Sequence, residues 1–377
     1  MTPNFKFAIA SDLHIAVPKT ISKQPERFHL VEVSIPAFEK ALEHLETLDL
    51  DFLLVPGDLT QDGEVENHQW LANRLSKLPF PTYVIPGNHD LPNLLATEKP
   101  LSAKQSQRII GFNDFPQYYQ DCGYQNTEQL YYSQEILPGV QLIALNSNNF
   151  DRDGRQIGCL EERQLLWLES ILQRANQQLV LLTIHHNIIE HLPQQSKHPL
   201  GKRYMLDNRI ALLDLLQKYG VNLIFTGHLH VQDVAEFEGI YEVCTGSLVS
   251  YPHPYRVIEV TAPTSDAIKL KIQSHQIKSV SGWENLTEIS REYLGARSSQ
   301  FMMRLLTSPP LNLSPTEAAK YTPHLRYFWS DIAAGDGFFD FPQFPPLLRK
   351  HFQQFSAVDN EGNPNLIDNQ VTLVLSR

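Results

Sequence analysis

The chain predicts an α/β fold in which two sheets face each other with helices outside, followed by a mainly helical C-terminal segment. Three observations carry this expectation. Short apolar runs of strand character alternate with amphipathic stretches through the first two-thirds of the sequence. Metal-type side chains recur immediately after five of those runs, where open α/β sheets gather their ligands. Beyond about residue 275, helical periodicity replaces the strand signals.

Residues 5–10 read as the first strand, an apolar run too short for a signal peptide. Residues 28–48 place Val31, Ile35, Phe38, Leu42 and Leu45 at helical spacing, so an amphipathic helix follows. A short buried strand at 52–55, a helix at 65–78 and a third strand at 82–85 continue the order. Such a βαβαβ series implies parallel pairing through right-handed crossovers. Residues 91–129 form a long excursion of weak helical character, too long for an idle connection.

Strands at 130–134 and 140–145 flank a turn at Pro138-Gly139. A helix at 161–174, a strand at 179–184, a helix at 208–219 stopped by Gly220 and a strand at 223–226 come next. The chain then turns β-rich, with runs at 231–237, 240–245, 256–261 and 267–273 that suit an antiparallel second sheet. Helices at 283–306 and 315–334 flank a break at Pro309-Pro310, and a stretch rich in Phe and Pro covers 335–346. A short helix at 347–355 precedes a last apolar run at 371–375. Residues 1–275 are therefore expected to form one domain, and 276–377 an extension packed on it or on a partner subunit of a homo-oligomer.

Composition narrows the function classes. At 377 residues the chain has room for a large domain with an appendage, and 42% hydrophobic content with 19% charged residues suits a globular protein. A net charge of −11 without a basic stripe argues against a nucleic-acid polymer as partner. It does not exclude a phosphate substrate, because bound metals reverse the local field. Three distant cysteines, Cys122, Cys159 and Cys244, fit a reducing cytoplasm rather than a disulfide framework. No apolar stretch approaches a membrane span, so a cytoplasmic location away from the membrane is expected.

The chemistry sits in five blocks. Residues 11–14 read Ser-Asp-Leu-His, 57–60 Gly-Asp-Leu-Thr and 87–90 Gly-Asn-His-Asp. His185 and His186 form the fourth block, and 227–230 read Gly-His-Leu-His. Two divalent ions about 3.5–4 Å apart need a bridging carboxylate, terminal carboxylate and imidazole ligands, and room for a bridging hydroxide. The blocks supply that inventory in Asp12, His14, Asp58, Asn88, His185, His228 and His230, with no thiolate among them. Gly57, Gly87 and Gly227 each precede a metal-type residue, where the backbone must turn without a Cβ clash.

In that order the blocks resemble the calcineurin-like metallophosphoesterase superfamily, and most closely its branch of class III cyclic-nucleotide and glycerophosphodiester phosphodiesterases. The resemblance covers residues 5 to about 260. It implies a four-layer α/β/β/α sandwich and a dinuclear centre of divalent or transition-metal ions (Mn, Fe, Zn or a mixed pair). Asp12, His14 and His230 would hold one ion, Asn88, His185 and His228 the other, and Asp58 would bridge them. His89 would assist the leaving group while a metal-bridging hydroxide attacks phosphorus in line. Asp90 and His186 would support the ligands from behind. The substrate class implied is a small phosphodiester such as a cyclic nucleotide or glycerophosphodiester. A phosphomonoesterase on the same site is the nearest alternative, and a non-catalytic scaffold a remoter one.

One departure from the branch stands out: His-His is followed by Asn187, where relatives carry Pro. Asn208, in the stretch 204–209, and His253, after Gly246, are further candidates for substrate contact. Arg256 reads as a strand residue. His29, His44, His68, His191, His198, His275, His324 and His351 read as surface or helix residues without a ligand role. The aromatics Tyr327, Phe328, Trp329, Phe338, Phe339, Phe341 and Phe344 read as packing of the extension.

Overall fold

A computed structural model describes residues 3–22, 27–91, 109–175, 178–262, 267–359 and 361–376. Residues 92–108 of the excursion expected at 91–129 therefore lie outside the described residues. In chain order the elements begin with β1 (Phe5–Ile9), α1 (Ser34–Leu45), β2 (Phe52–Val55), α2 (Val65–Leu75) and β3 (Thr82–Val84). The helical turn α3 (Phe115–Tyr118) precedes β4 (Tyr132–Leu137) and β5 (Val140–Ala144). A small hairpin of β6 (Asn148–Phe150) and β7 (Gln156–Gly158) leads into α4 (Glu162–Arg174).

Next come β8 (Leu179–Thr183), the short α5 (Pro199–Lys202), α6 (Arg209–Lys218) and β9 (Leu223–Thr226). The strands β10 (Asp233–Phe237), β11 (Ile240–Cys244), β12 (Pro254–Thr261) and β13 (Ala267–Gln276) follow. The remainder holds α7 (Leu286–Thr307), α8 (Pro315–Tyr321), α9 (Phe328–Ala333), α10 (Pro346–Gln353) and β14 (Gln370–Ser376). No helix among the described residues is long and apolar enough to cross a membrane.

The strands build two six-stranded sheets, ordered β14-β13-β12-β1-β2-β3 and β10-β11-β9-β8-β5-β4. β1, β2 and β3 run parallel, as the alternating order predicts, and so do β5, β8, β9 and β11. β2 and β8 are buried along their whole length, which is why they read as unbroken apolar runs rather than alternating ones. Phe7 on β1 stacks on Phe52 at 4.7 Å and meets Phe225 of the facing sheet edge-on at 5.5 Å. The α1 and α2 residues Phe38, Leu42 and Leu71 join the core on one side, and Leu168 of α4 and Leu212 of α6 cover the other sheet. The result is the expected four-layer α/β/β/α sandwich.

Three local expectations are corrected. The four β-runs after residue 230 do not form one sheet: β10 and β11 extend the second sheet, whereas β12 and β13 cross back beside β1. Apolar period identifies a strand but not its partner. The helix expected from residue 28 begins at Ser34, because Pro36 suits only a first turn, and 28–33 remain loop with one tight turn at Val31–Val33. The helix expected over 315–334 is cut at Thr322–Leu325, where Pro323 interrupts the backbone ladder.

The C-terminal segment packs on the second-sheet side of the sandwich. Its Met302, Leu306, Phe328, Phe344 and Phe352 share a core with Leu229, Val231 and Cys244. The chain then returns to the first sheet, where β14 pairs antiparallel with β13.

Candidate metal centre

Every predicted donor lies in a loop that leaves the carboxyl end of one of the parallel strands β1, β2, β3, β8 and β9. Beyond β1 and β2 the two loops run side by side, with the Asp12 N–H donating to Gly57 O at 3.2 Å and the His14 N–H to Asp58 O at 2.9 Å. The facing sheet contributes His185 after β8 and the 227–230 loop after β9, tied together where the Gly227 N–H donates to His185 O. Asp12, His14, Asp58, His228 and His230 all have positive φ, between 41° and 66°. The left-handed conformation is uncommon outside glycine, and Asp and His are among the side chains that tolerate it best. It swings each donor off its strand and inward.

The glycines serve mainly as space. Gly57 does have a left-handed backbone (φ 94°), but Gly87 and Gly227 do not. A Cβ at Gly87 would stand 2.2 Å from Asp58 Oδ1, and one at Gly227 2.4 Å from Asp12 Oδ2. The absent side chain makes room for the neighbouring carboxylate.

The donors converge on two points. His14 Nε2 lies 3.4 Å from His230 Nε2 and 3.7 Å from Asp58 Oδ2, and His230 Nε2 lies 3.2 Å from Asp12 Oδ1. On the other side His185 Nε2 is 3.4 Å from Asp58 Oδ2 and 3.2 Å from Asn88 Oδ1, and His228 joins that group. Ligands that share one ion through bonds of about 2.1 Å stand roughly 3–3.5 Å apart, so these separations fit a pair of ions with Asp58 common to both. His185 donates its Nδ1–H to Pro56 O at 2.7 Å, which turns Nε2 toward the centre; burial opposes a charged ring there, but the Asp58 carboxylate outweighs it and raises the ring to about 9.

Burial disfavours a charged Asp58, but His185 and His89 outweigh it and hold the carboxyl well below the usual range. At His14 burial dominates, helped by His29 and His89, and lowers the ring well below its ordinary value. Burial likewise drives His228 down, with His186 next in effect. Both rings are thereby kept neutral, the state a ligand requires.

His89 stands beside the donors. Its backbone N–H donates to Asp58 Oδ1 at 2.8 Å, and its Nδ1 donates to Gln61 O at 2.6 Å. Desolvation works against a charged ring there, but the Asp58 and Asp62 carboxylates raise it to about 10. Asp90 does not reach the centre; it accepts the backbone N–H groups of Leu59, Thr60 and Gly87 and the Thr60 hydroxyl, clamping two donor loops together. His186 bonds the Ser147 hydroxyl at 2.8 Å and lies 4.2 Å from the His228 ring.

Asn187 finds its reason in a buried acid. It donates to Glu242 Oε1 at 3.1 Å, while Glu242 also accepts the Ile188 and Ile189 N–H groups and the Thr226 hydroxyl and forms an ion pair with His191. The loop after His185 is thus fastened to β11.

Two of the expected substrate contacts point elsewhere. Asn208 clasps the backbone of Leu160, donating to its carbonyl at 2.9 Å and accepting its N–H at 3.0 Å. His253 is fully buried below the cleft and bonded to Leu248 O, and burial lowers it to about 4. Arg256 is an entirely buried strand residue that donates to Cys244 O and Asp368 O.

Other residues enter unannounced by their motifs. His29 stacks on His14 at 4.3 Å and bonds Gln61 Oε1 at 2.9 Å, placing it in the cleft wall rather than on a helix. His68 is buried between Thr60 and Tyr119, and His191 between Asp233 and Glu242. Above the donors opens a cleft of about 490 Å³ whose walls include His29, His89, Gln156, Arg203, Tyr204 and Trp329.

Known proteins resemble the chain in sequence and in fold. The family model described as calcineurin-like phosphoesterase matches residues 5–232. The chain is 31% identical over 185 residues to a protein of Arcobacter nitrofigilis named "Probable glycerophosphodiester phosphodiesterase", covering 48% of this chain and 56% of that one. It is 30% identical over 198 residues to a 3',5'-cyclic-nucleotide phosphodiesterase of Nostoc, covering 52% of this chain and 62% of the other. The chain thus spans little more than half the length of these relatives. In fold it is similar to a dimetal phosphatase from Danio rerio, with a TM-score of 0.50 and 15% identity over 72% of this chain and 96% of that one.

Proposed function

Since the chain belongs to the calcineurin-like phosphoesterase family, we propose that it hydrolyses small phosphodiesters at a centre of two divalent or transition-metal ions. Asp12, His14 and His230 would hold one ion and Asn88, His185 and His228 the other. The observation that carries this reading is the position of Asp58, whose Oδ2 lies within 3.7 Å of His14 Nε2 and 3.4 Å of His185 Nε2, so one carboxylate serves two donor groups. When bound, the ions supply positive charge that neutralises the diester and acidifies a water molecule.

The chain's own residues do the rest. Ser11 and the His228 N–H steady the Asp12 carboxylate, and Pro56 O fixes the His185 tautomer. His89, held through Nδ1 by Gln61 O, has Nε2 left to give its proton to the departing oxygen. After hydrolysis the alcohol leaves with that proton and the monoester keeps the new hydroxyl oxygen.

A diester fits better than a monoester. Arg27 in the cleft wall is committed to Glu32, Ser22 O and His29 O, which leaves Arg203 as the exposed arginine among the described residues of the wall. A second terminal phosphate charge would call for a cation beyond Arg203 and the charged His89 ring. The names of the two relatives support glycerophosphodiesters and cyclic nucleotides as the first substrates to try.

Purified protein with Mn²⁺ should hydrolyse bis(p-nitrophenyl) phosphate, and Asp58→Ala should abolish turnover. Hydrolysis that persists in Asp58→Ala after chelation of the metal would sink the proposal.

A further inference from the structure

The cleft over the donors borders a second, carbon-lined chamber. Tyr204, Phe301 and Trp329 line both, and Phe301 meets Trp329 edge-on at 5.3 Å to form the shared wall. Beyond that wall the chamber runs between the loop before α5 and the C-terminal helices, closed by Leu192, Leu305, Phe328 and Phe355. On the near side the Tyr204 ring lies 5.1 Å from the His228 ring, so a single aromatic ring of the chamber lining stands against the donors.

The chamber holds about 140 Å³, close to the size of an engineered apolar cavity that accepts benzene in another protein. Two of its polar residues are engaged by the backbone, while the buried His198 Nε2 and His351 Nε2 have no hydrogen-bond partner among the described residues. Gln195 accepts the His191 and Leu192 N–H groups and donates to Asn187 Oδ1, and His198 Nδ1 accepts the Leu200 N–H. No carboxylate lines it among the described residues. An apolar pocket beside convergent polar groups is the usual form of a small-molecule site.

Resting on the phosphodiester reading above, we propose that this chamber receives an apolar ester group of the substrate, of the size of a single aromatic ring. The phosphate would sit over the donors while Tyr204, Phe301 and Trp329 guide the ring past His228. Substrate choice would then come from the C-terminal helices rather than from the metal loops.

The test is calorimetric binding of benzylphosphonate and methylphosphonate to the full-length, Mn²⁺-loaded protein. Benzylphosphonate should bind at least tenfold more tightly. Leu305→Trp, which fills the chamber, should reduce that preference below threefold, and Leu305→Ala should shift it toward naphthylmethylphosphonate; thermal melts verify that both variants fold. Equal affinity for the two ligands in the wild-type protein overturns the proposal, and so does a benzyl preference that persists in a folded Leu305→Trp. Binding is read without turnover, so a protein that hydrolyses no phosphodiester yet keeps the benzyl preference would refute the proposed reaction and leave the chamber assignment standing.

Discussion

Single residues decide whether the centre exists. Gly87→Ala would push a methyl group to 2.2 Å from Asp58 Oδ1 and 2.1 Å from its backbone nitrogen, so the shared carboxylate has to move. Overpacking of this kind costs about 1–3 kcal/mol. The variant should bind fewer than two Mn²⁺ per chain by elemental analysis and lose at least 100-fold in rate. His89→Ala should keep its metal but lose about 10²–10⁴-fold in kcat, the contribution of a positioned acid; a fall in metal content instead would make His89 a ligand. That the seven proposed donors would come together was legible because each stands within five residues of the end of an apolar strand, and strand ends are where such groups can meet. His29 was not legible, since helical spacing runs straight through residues 28–33 and Pro36 alone marks the true start. Asn208 misled for the opposite reason: its partner, the Leu160 backbone, is 48 residues away and leaves no local signal.

At the scale of elements, the loop after β8 depends on a charge buried in β11. Glu242 and His191 sustain each other. Burial opposes both charges, yet each partner's presence lowers the Glu242 carboxyl and raises the His191 ring well above its ordinary value. Glu242→Ala should destabilise the protein by about 3–5 kcal/mol, because it leaves the buried His191 ring with Asp233 as its single carboxylate partner and strips the Ile188 and Ile189 N–H groups of their acceptor, as urea unfolding at pH 7 would show. It should also weaken Mn²⁺ binding by about 10–100-fold, since His185 loses the anchorage of its loop. Unchanged metal affinity would mean that β11 merely stabilises. The parallel order of β1, β2 and β3 was readable from alternation with α1 and α2, whereas the division of β10 to β13 between two sheets was not. Both pairings bury the same alternating side chains, and only the crossing at 245–253, where the Leu248 N–H donates to Ser11 O, settles the choice.

At the scale of the whole molecule, neutral histidines sealed in the interior should set the acid limit of stability. His253 falls to about 4 and His68 to about 3, both through burial, against about 6.5 for an exposed ring. Below pH 6.5 the unfolded chain takes up protons that the folded one refuses. The stabilisation is therefore complete above 6.5 and is lost as pH falls toward the folded values. For His253 the difference amounts to about 3 kcal/mol. Urea midpoints should drop between pH 7 and 4.5, and His253→Gln should drop less steeply than the parent. An equal slope would assign the acid limit to other groups. The same view of the molecule gives the left-handed backbone at Asp12, His14, Asp58, His228 and His230 a further meaning. Each such residue holds roughly 1–2 kcal/mol in reserve, and all five lie along one seam between the sheets. That seam is a loaded spring whose catch is the metal pair: strip the ions with a chelator, and amide hydrogen exchange should quicken first at 11–14, 57–60 and 227–230 while the strands behind them keep their protons.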